Sequence, residues 1–365
     1  MIPWYQPHFW GKEKEYVVDA LESTWISGGK YVDRLESTMA SLLGCNHVIT
    51  TSNGTSSLML AYLALGLGPG DEIIVPGYTF AAPANMALAI GATPVYADVD
   101  PETWLLCPKS VEEKISKKTK AIVPVHIYGN VCDMGALTAI AQHHQLFVIE
   151  DVAEAAFSQY AGQQAGTFGD FGSFSFQATK TITTGEGGAI CTSSDSLEKA
   201  ARLLRNHGMR PGKHYWHEVV GHNFRLTNLQ AALGCAQLES VDEIILNKKR
   251  VYKHYLLNLE SMPGLRLQKI TPTCEPVMWA VAIKLNVAEW GMTRDQVIDA
   301  MTAKGIETRP GFYALSDMPI YQTDILQNSS EIANTVISLP SYTMISNDEI
   351  DRICSVFLGL YKARK

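Results

Sequence analysis

Short apolar runs alternate with helix-length segments through the first half of the chain. The runs are four to six residues long and lack apolar–polar alternation, which is typical of strands covered on both faces. Strand–helix alternation of this kind predicts an α/β fold with a mostly parallel sheet and crossover helices. The predicted strands are residues 47–51, 72–76, 93–98, 121–126 and 146–151, and the predicted helices are residues 54–65, 82–89, 108–115 and 134–143.

The pattern changes after residue 180. We predict a short strand over 189–192, helices over 195–206 and 227–238, a bridging helical segment over 241–261, a strand over 277–285 and a last helix over 350–361. Thr227 is the expected cap of its helix. Capping-box patterns join Thr293 to Gln296 and Ser346 to Glu349. We therefore predict a large domain over residues 1–250, with its N-terminal segment, and a smaller C-terminal α/β domain over residues 251–365.

Composition narrows the class of protein. Of the 365 residues 46% are hydrophobic and 18% are charged, so the chain can bury a packed core. The formal net charge of −7 argues against a nucleic-acid partner. No apolar stretch is long enough for a membrane span and no signal-peptide pattern opens the chain. The 7 cysteines include no C-x-x-C pair, which predicts reduced thiols in a cytoplasmic protein without a metal site.

Polar and aromatic side chains follow the predicted strands where those strands end. Asp151 closes a buried strand, His126 ends the preceding one, and Phe80 follows another. Residues 52–57 lie between a strand and a helix, where free N–H groups and hydroxyls can hold a phosphate. Taken singly, each feature has an ordinary explanation, namely a helix cap, a core aromatic, a buried histidine or a helix start.

Lys180 is an isolated cation between an apolar strand and the glycine-rich residues 185–188. A lysine in apolar surroundings can act as an amine nucleophile toward a carbonyl. Because ligands of parallel sheets gather at the carboxyl ends of strands, we expect Lys180, Asp151, Phe80 and the phosphate site to meet. A flat heteroaromatic aldehyde that carries a phosphate matches all four features. That molecule is pyridoxal 5'-phosphate (PLP), whose ring nitrogen Asp151 would keep protonated.

Several blocks of sequence resemble the DegT/DnrJ/EryC1/StrS sugar aminotransferases. They are SNGTSSLMLAYLALGLGPGDEIIVPGYTF from Ser52, VPVHIYGNVCDM from Val123, VIEDVAEAAFSQYAGQQAGTFGDFGSFSF from Val148, ATKTITTGEGGAI from Ala178 and GHNFRLTNLQAALGCAQLE from Gly221. The resemblance implies a PLP-dependent transferase of fold type I. Its large domain would carry a mostly parallel seven-stranded sheet flanked by helices, followed by the smaller C-terminal α/β domain. The cofactor would alternate between PLP and pyridoxamine 5'-phosphate.

The resemblance also implies roles for individual residues. Lys180 matches the lysine that forms the Schiff base with PLP, Asp151 the partner of the ring nitrogen, and Glu154 the residue beside the ring hydroxyl. The other matches are cofactor contacts: Gly54, Thr55 and Ser175 for the phosphate, Phe80 for the ring face, and Asn223 for the phosphate bound by the neighbouring subunit. The match of Asn223 implies a homodimer with shared active sites.

Within the family, the segments from His214 (HYWHEVVGHNFRLTN) and Glu307 (ETRPGFYALSDMPIY) are similar to those of perosamine synthases. This implies amino transfer from L-glutamate, which leaves 2-oxoglutarate, to GDP-4-keto-6-deoxymannose for O-antigen biosynthesis. The implied substrate contacts are Trp25, His126, Tyr313 and Ser316.

Two departures from the perosamine synthases keep other substrates open. Ser316 stands where those enzymes usually have histidine, and residues 25–30 form a segment one residue shorter than theirs. UDP- or dTDP-linked keto-sugars, aminated at position 3 or 4, therefore stay possible substrates. Family members that act as dehydratases replace the lysine by histidine, so Lys180 favours amino transfer.

Two readings outside the family are also open to test. A nicotinamide dehydrogenase would need a G-x-G-x-x-G turn after a strand, and the glycine cluster at residues 66–70 follows a helix without that spacing. A binding protein that keeps the fold without catalysis would have no need of Lys180 and Asp151.

Overall fold

The central layer of the molecule is a seven-stranded sheet. The computed structural model describes residues 1–321 and 323–363. The strands in chain order are β1 (His47–Thr51), β2 (Glu72–Pro76), β3 (Thr93–Ala97), β4 (Thr119–Ile122), β5 (Phe147–Asp151), β6 (Gln159–Tyr160), β7 (Gln163–Gln164), β8 (Phe171–Ser175), β9 (Gly188–Thr192), β10 (Leu265–Leu267), β11 (Cys274–Glu275), β12 (Val281–Leu285), β13 (Arg309–Pro310) and β14 (Val336–Leu339).

Helices pack around this sheet and around a smaller one. They are α1 (Glu13–Glu22), α2 (Lys30–Leu43), α3 (Gly54–Ala64), α4 (Ala82–Ala89), α5 (Pro108–Lys114), α6 (Met134–His144), α7 (Asp195–Arg205), α8 (Asn228–Glu239), α9 (Val241–Leu259), α10 (Val287–Trp290), α11 (Arg294–Ala303), α12 (Gln327–Thr335) and α13 (Asn347–Lys362). No helix in the described ranges is both long and apolar enough to cross a membrane.

The strand order of the central sheet is β1-β9-β8-β5-β4-β2-β3. Only β9 runs antiparallel to its neighbours, β1 and β8, and the other pairs are parallel. The predicted mostly parallel sheet of seven strands is confirmed. Because the parallel strands point the same way, the ends of β1, β2, β5 and β8 lie along one edge, where Thr51, Pro76, Asp151 and Ser175 are their last residues.

Side-chain caps fix the start of several helices as the sequence predicts. Thr227, Thr293 and Ser346 each accept from the third backbone N–H of the helix while Gln or Glu at that position bonds back. Helices α1 and α2 were not predicted. Neither has a side-chain hydrogen bond at its N-cap, so the usual start signal is missing.

Two of the predicted strands are shorter than expected. The regular strand within the run 121–126 ends at Ile122, because Pro124 has no N–H to give to a sheet ladder, and Val125 rejoins β5 through an isolated parallel bridge to Asp151. The run 277–285 enters the sheet only at Val281. Residues 277–280 instead pack against the first hydrophobic core.

A second hydrophobic core lies under the four-stranded antiparallel sheet β10-β12-β14-β13. Helix α9 contributes to both cores, with Ile244 in the first and Val251 and Tyr255 in the second. Ile2, at the other end of the chain, also packs in the second core. The division at residue 250 therefore falls inside one continuous helix, and it stays a prediction.

Lys248 occupies the middle of α9 and is 1% exposed. Its Nζ donates to the backbone oxygens of Trp279 (2.9 Å) and Ser341 (3.0 Å) and lies 5.8 Å from the ring centre of Tyr5. Among the described residues no carboxylate forms an ion pair with it. Burial lowers the pKa of Lys248 to about 7, since a low-dielectric interior disfavours the charged form.

This burial makes stability depend on pH with a defined sign. Between pH 7 and the ordinary value of 10.5, the unfolded chain holds a proton on Lys248 that the folded chain lacks. The free energy of unfolding therefore rises with pH across that window, by about 4 kcal/mol from this group. We expect Lys248→Met to remove this rise, as measured by urea unfolding from pH 7 to 10. Parallel curves for the two proteins would contradict the assignment.

Candidate active site

A cavity of about 480 Å³ opens at the edge where the parallel strands end. Its lining includes the ends of β5 and β8 and the segments after β1 and β2. Seven of the residues predicted for the site line it: Gly54, Thr55, Phe80, Asp151, Glu154, Ser175 and Lys180. The topology therefore brings together residues that lie up to 126 positions apart, from 54 to 180.

Lys180 lies on the loop that follows β8, and its side chain is 14% exposed. Its Nζ is 3.5 Å from Oε1 of Glu154 and 4.1 Å from the ring centre of Trp279. The Tyr5 hydroxyl donates to its backbone oxygen at 3.2 Å. The Lys180 amine is thus held inside the cavity by a long ion pair with Glu154 and by the aromatic face of Trp279.

Asp151 is the last residue of β5 and is 6% exposed. Burial raises the pKa of its carboxyl, and the Ala153 N–H at 3.0 Å together with the Lys180 ammonium opposes the rise. A buried carboxylate with one backbone donor has unused acceptor capacity. It can therefore accept a proton-bearing group of a ligand in the cavity.

Glu154 lies one turn beyond Asp151 and is also 6% exposed. Burial raises the pKa of Glu154, whereas the Lys180 ammonium and the Tyr128 N–H lower it. That N–H donates to Oε2 at 2.8 Å, which leaves Oε1 turned toward Lys180. Tyr128 adopts a left-handed backbone with φ 61°, a conformation uncommon for residues other than glycine. The N–H that orients Glu154 therefore depends on an unusual turn.

An anion cradle forms where α3 begins. Asn53 caps the helix by accepting the Ser56 N–H at 2.8 Å, so the N–H groups of Gly54 and Thr55 precede the first intrahelical bonds. Ser175 lies against Gly54, and a Cβ added to Gly54 would be 2.7 Å from the Ser175 Cβ. The cradle exists because position 54 has no side chain, and its donors suit a phosphate.

Two neighbouring residues suit the ring of a planar ligand. Thr79 is 1% exposed and lines the cavity, yet its Oγ1 has no hydrogen-bond partner among the described residues. Phe80 presents an aromatic ring that is 61% exposed at the cavity wall. These features fit PLP: the unpaired Thr79 hydroxyl, the exposed Phe80 ring, the anion cradle, Asp151 and Lys180.

Comparison with known proteins identifies the group to which this architecture belongs. The model of the DegT/DnrJ/EryC1/StrS aminotransferase family matches residues 9–358. The chain belongs to the DegT/DnrJ/EryC1/StrS aminotransferase family. It is therefore a PLP-dependent sugar aminotransferase of the fold-type-I class, as the sequence predicts.

Individual relatives can be aligned with most or nearly all of this chain. GDP-perosamine synthase of Escherichia coli O157:H7 is 42% identical over 363 residues, which is 99% of this chain and 98% of that enzyme. UDP-N-acetyl-3-dehydro-alpha-D-glucosamine 3-aminotransferase of Acidithiobacillus ferrooxidans is 36% identical and covers 88% of this chain and 86% of its own. The PLP form of the sugar aminotransferase Spr1654 from Streptococcus pneumoniae superposes with a TM-score of 0.94 at 26% identity, covering 99% of both chains.

His126, which was predicted to contact the substrate, does not line the cavity. Its side chain is fully buried and lies 3.2 Å from Glu150, while its Nδ1 accepts the Cys132 N–H. Glu150 in turn accepts the N–H groups of Gly166, Phe168 and Gly169. The prediction of a substrate contact for His126 is wrong, because a side chain committed to this internal network has no surface for a ligand.

The other predicted contacts lie outside the cavity lining. Trp25 is 71% exposed in the loop before α2, and Tyr313 is 52% exposed beside Arg294. Ser316 faces Asp317 and Ser330 at 3.4 Å each. Asn223 is exposed and accepts the Arg225 Nε–H at 3.0 Å. Their predicted roles remain predictions.

Several lining residues were missed. They are Trp4, Tyr128, Gln177, Glu186, Trp279, Arg309, Phe312 and Ser338. Trp4 is anchored by its Nε1–H, which donates to Ser338 at 3.0 Å, and Arg309 lies 4.2 Å from its ring centre. The aromatic residues near each end of the chain were the one available signal. Sequence alone gives no register between them and the sheet.

The anion cradle can be tested by filling it. Gly54→Ala should weaken PLP retention about tenfold or more, because the added methyl group meets Ser175 and closes the space for the phosphate. The measurement is equilibrium titration of cofactor-free protein with PLP. Gly359→Ala is the matched control, since a Cβ there meets nothing within 4 Å. Equal affinities for Gly54→Ala and the wild type would place the phosphate elsewhere.

Proposed function

We propose that this enzyme transfers an amino group from L-glutamate to a nucleotide-linked 4-keto-6-deoxy sugar, with GDP-4-keto-6-deoxymannose as the substrate. The observation that carries the proposal is the position of Lys180, whose amine enters a cavity that also holds Asp151, Glu154 and the cradle at Gly54. Lys180 is the only lysine among the residues that line this cavity in the described part of the chain. The 42% identity to a GDP-perosamine synthase supports the choice of sugar.

Lys180 is proposed to move the proton of the reaction. Lys180 belongs to the lining of the cavity. From there its Nζ would take a proton from a substrate carbon and return it, as a general base and then an acid. PLP, when bound, supplies an electron sink for this chemistry. Glu154, at 3.5 Å, attracts the ammonium without locking it into a short ion pair. The Lys180 amine can therefore move away from Glu154 and return to it.

The carboxylate of Asp151 is proposed to hold the ring nitrogen in its protonated form. Its burial strengthens any interaction with a positive group. Phe80 covers one ring face, and Gly54, Thr55 and Ser175 bind the phosphate. Asn223 of a second copy of the chain completes the phosphate contacts, so the working unit is a homodimer with shared active sites.

The nucleotide and the position of amination form the finer part of the proposal. Relatives include a GDP-perosamine synthase at 42% identity and a UDP-sugar 3-aminotransferase at 36%. The higher identity and fuller coverage favour the GDP-linked 4-keto sugar. Trp25, Tyr313 and Ser316 are proposed to meet the sugar nucleotide. The product would supply O-antigen biosynthesis in the cytoplasm.

A panel of sugar nucleotides tests this proposal. Purified enzyme is incubated with L-glutamate and, separately, with GDP-, UDP- and dTDP-linked 4-keto and 3-keto sugars, and the amine is detected by mass spectrometry. We expect the 4-amino product from the GDP-linked 4-keto-6-deoxy sugar. Lys180→Ala should lose activity by at least about a thousandfold, since the proton carrier is gone. Lys109→Ala, at a side chain that is 85% exposed, is the matched control.

Two outcomes of the panel would contradict the proposal. Turnover only with a UDP- or dTDP-linked sugar would overturn the choice of nucleotide. Wild-type turnover by Lys180→Ala would remove Lys180 from the mechanism.

A further inference from the structure

Trp279 presents the face of its indole to the amine of Lys180. The Nζ lies 4.1 Å from the ring centre and 3.5 Å from Oε1 of Glu154, and Trp279 is 8% exposed. A cation at this distance from an indole face is attracted by the negative charge density of the ring, and the attraction is stronger when water is excluded.

Three hydrogen bonds hold Trp279 in place, one from the indole and two from the backbone. The indole Nε1–H donates to the backbone oxygen of Thr179 at 2.6 Å, and the backbone N–H of Trp279 donates to the backbone oxygen of Tyr128 at 2.9 Å. Its backbone oxygen accepts from Lys248 Nζ at 2.9 Å. The bond to Thr179 joins the ring directly to the residue before Lys180. The platform and the lysine are therefore held in register with each other.

Aromatic neighbours also support the platform. The Tyr128 ring stacks on the indole at 6.4 Å with an interplanar angle of 12°, and Trp4 meets it edge-on at 5.6 Å. The same Tyr128 gives its N–H to Glu154. The two groups that contact the Lys180 amine, Glu154 and Trp279, thus share one support.

We propose that the indole face of Trp279 is the resting surface of the Lys180 ammonium whenever that amine is not bonded to the cofactor. This makes Trp279 a positioning residue for the proposed proton carrier, and the inference rests on the proposed function of Lys180. The indole attracts the ammonium without accepting its proton. The amine is kept inside the cavity and remains free to lose a proton or to leave the surface.

The capture of PLP by cofactor-free protein reports on this resting state. Capture joins the Lys180 nitrogen to the PLP aldehyde carbon with loss of water, and it requires the unprotonated amine. An ammonium stabilised by the indole delays that step to higher pH. The measured quantity is the pH midpoint of the capture rate, followed by the absorbance of bound PLP.

Replacement of the indole should lower this midpoint. We expect Trp279→Leu to shift it downward by about half to one pH unit, with Trp279→Phe in between, because benzene attracts a cation less strongly than indole does. Trp104→Phe is the matched control. Trp104 also packs edge-on against Tyr128, at 6.2 Å, and does not line the cavity. It should keep the wild-type midpoint.

The proposal and the function on which it rests fail in different ways. Equal midpoints in the wild type, Trp279→Phe and Trp279→Leu would overturn the resting surface. An equal shift in Trp104→Phe would do the same, since the effect would then come from packing. Borohydride reduction of the wild type, followed by peptide mapping, tests the proposed function separately, and a label on another lysine would overturn that function. If Trp279→Leu does not fold, Trp279→Phe and site-specific fluorinated tryptophans at position 279 give the same comparison, with the midpoint falling as fluorine atoms are added.

Discussion

Two buried carboxylates face one ammonium in this protein, and the charge they leave unbalanced is the constraint around which the site is built. Asp151 and Glu154 are each 6% exposed, and burial raises the pKa of both. The Lys180 ammonium can offset one of the two charges. Since an isolated buried charge is costly, the cavity favours a ligand that brings a second positive group. The protonated ring nitrogen of PLP is such a group, and Asp151 has the free acceptor capacity to receive it.

The sheet explains how these charges come to be close together. Parallel strands direct their carboxyl ends to one edge, so Asp151 at the end of β5 and the Lys180 loop after β8 meet there although 29 positions separate them in the sequence (180 minus 151). Paired strands fix their spacing, with Asp151 opposite Ser173 in the ladder. The start of α3 adds a cradle of opposite character, where N–H groups favour negative charge. The same edge of the sheet therefore carries carboxylates that attract a cation next to N–H groups that attract an anion.

Much of this edge could be predicted from the sequence, because each residue there follows a recognisable strand. Asp151 ends an apolar run, and Gly54 and Phe80 each lie within four residues of the end of one. The alternation of these runs with helix-length segments predicted the mostly parallel sheet. His126 follows a strand too, yet its side chain points into the Glu150 network. Since a shift of one residue turns a side chain to the other face, position at a strand end does not settle which way a residue points.

The opposite wall of the cavity could not be predicted. Trp4 and Trp279 meet there at 5.6 Å, although 275 positions separate them in the sequence (279 minus 4). Their meeting depends on how the C-terminal sheet and the first residues pack against the larger core, and local patterns carry no such information. The same is true of Lys248, whose burial follows from the course of α9 between two cores.

The pairing of Asp151 with a positive ring nitrogen can be measured directly. PLP labelled with ¹⁵N in its ring is bound to the enzyme, and the nitrogen chemical shift is recorded by NMR at neutral pH for the wild type and for Asp151→Asn. The account predicts a protonated nitrogen in the wild type and an unprotonated one in the variant. An unprotonated nitrogen in the wild type, or identical shifts in the two proteins, would contradict it.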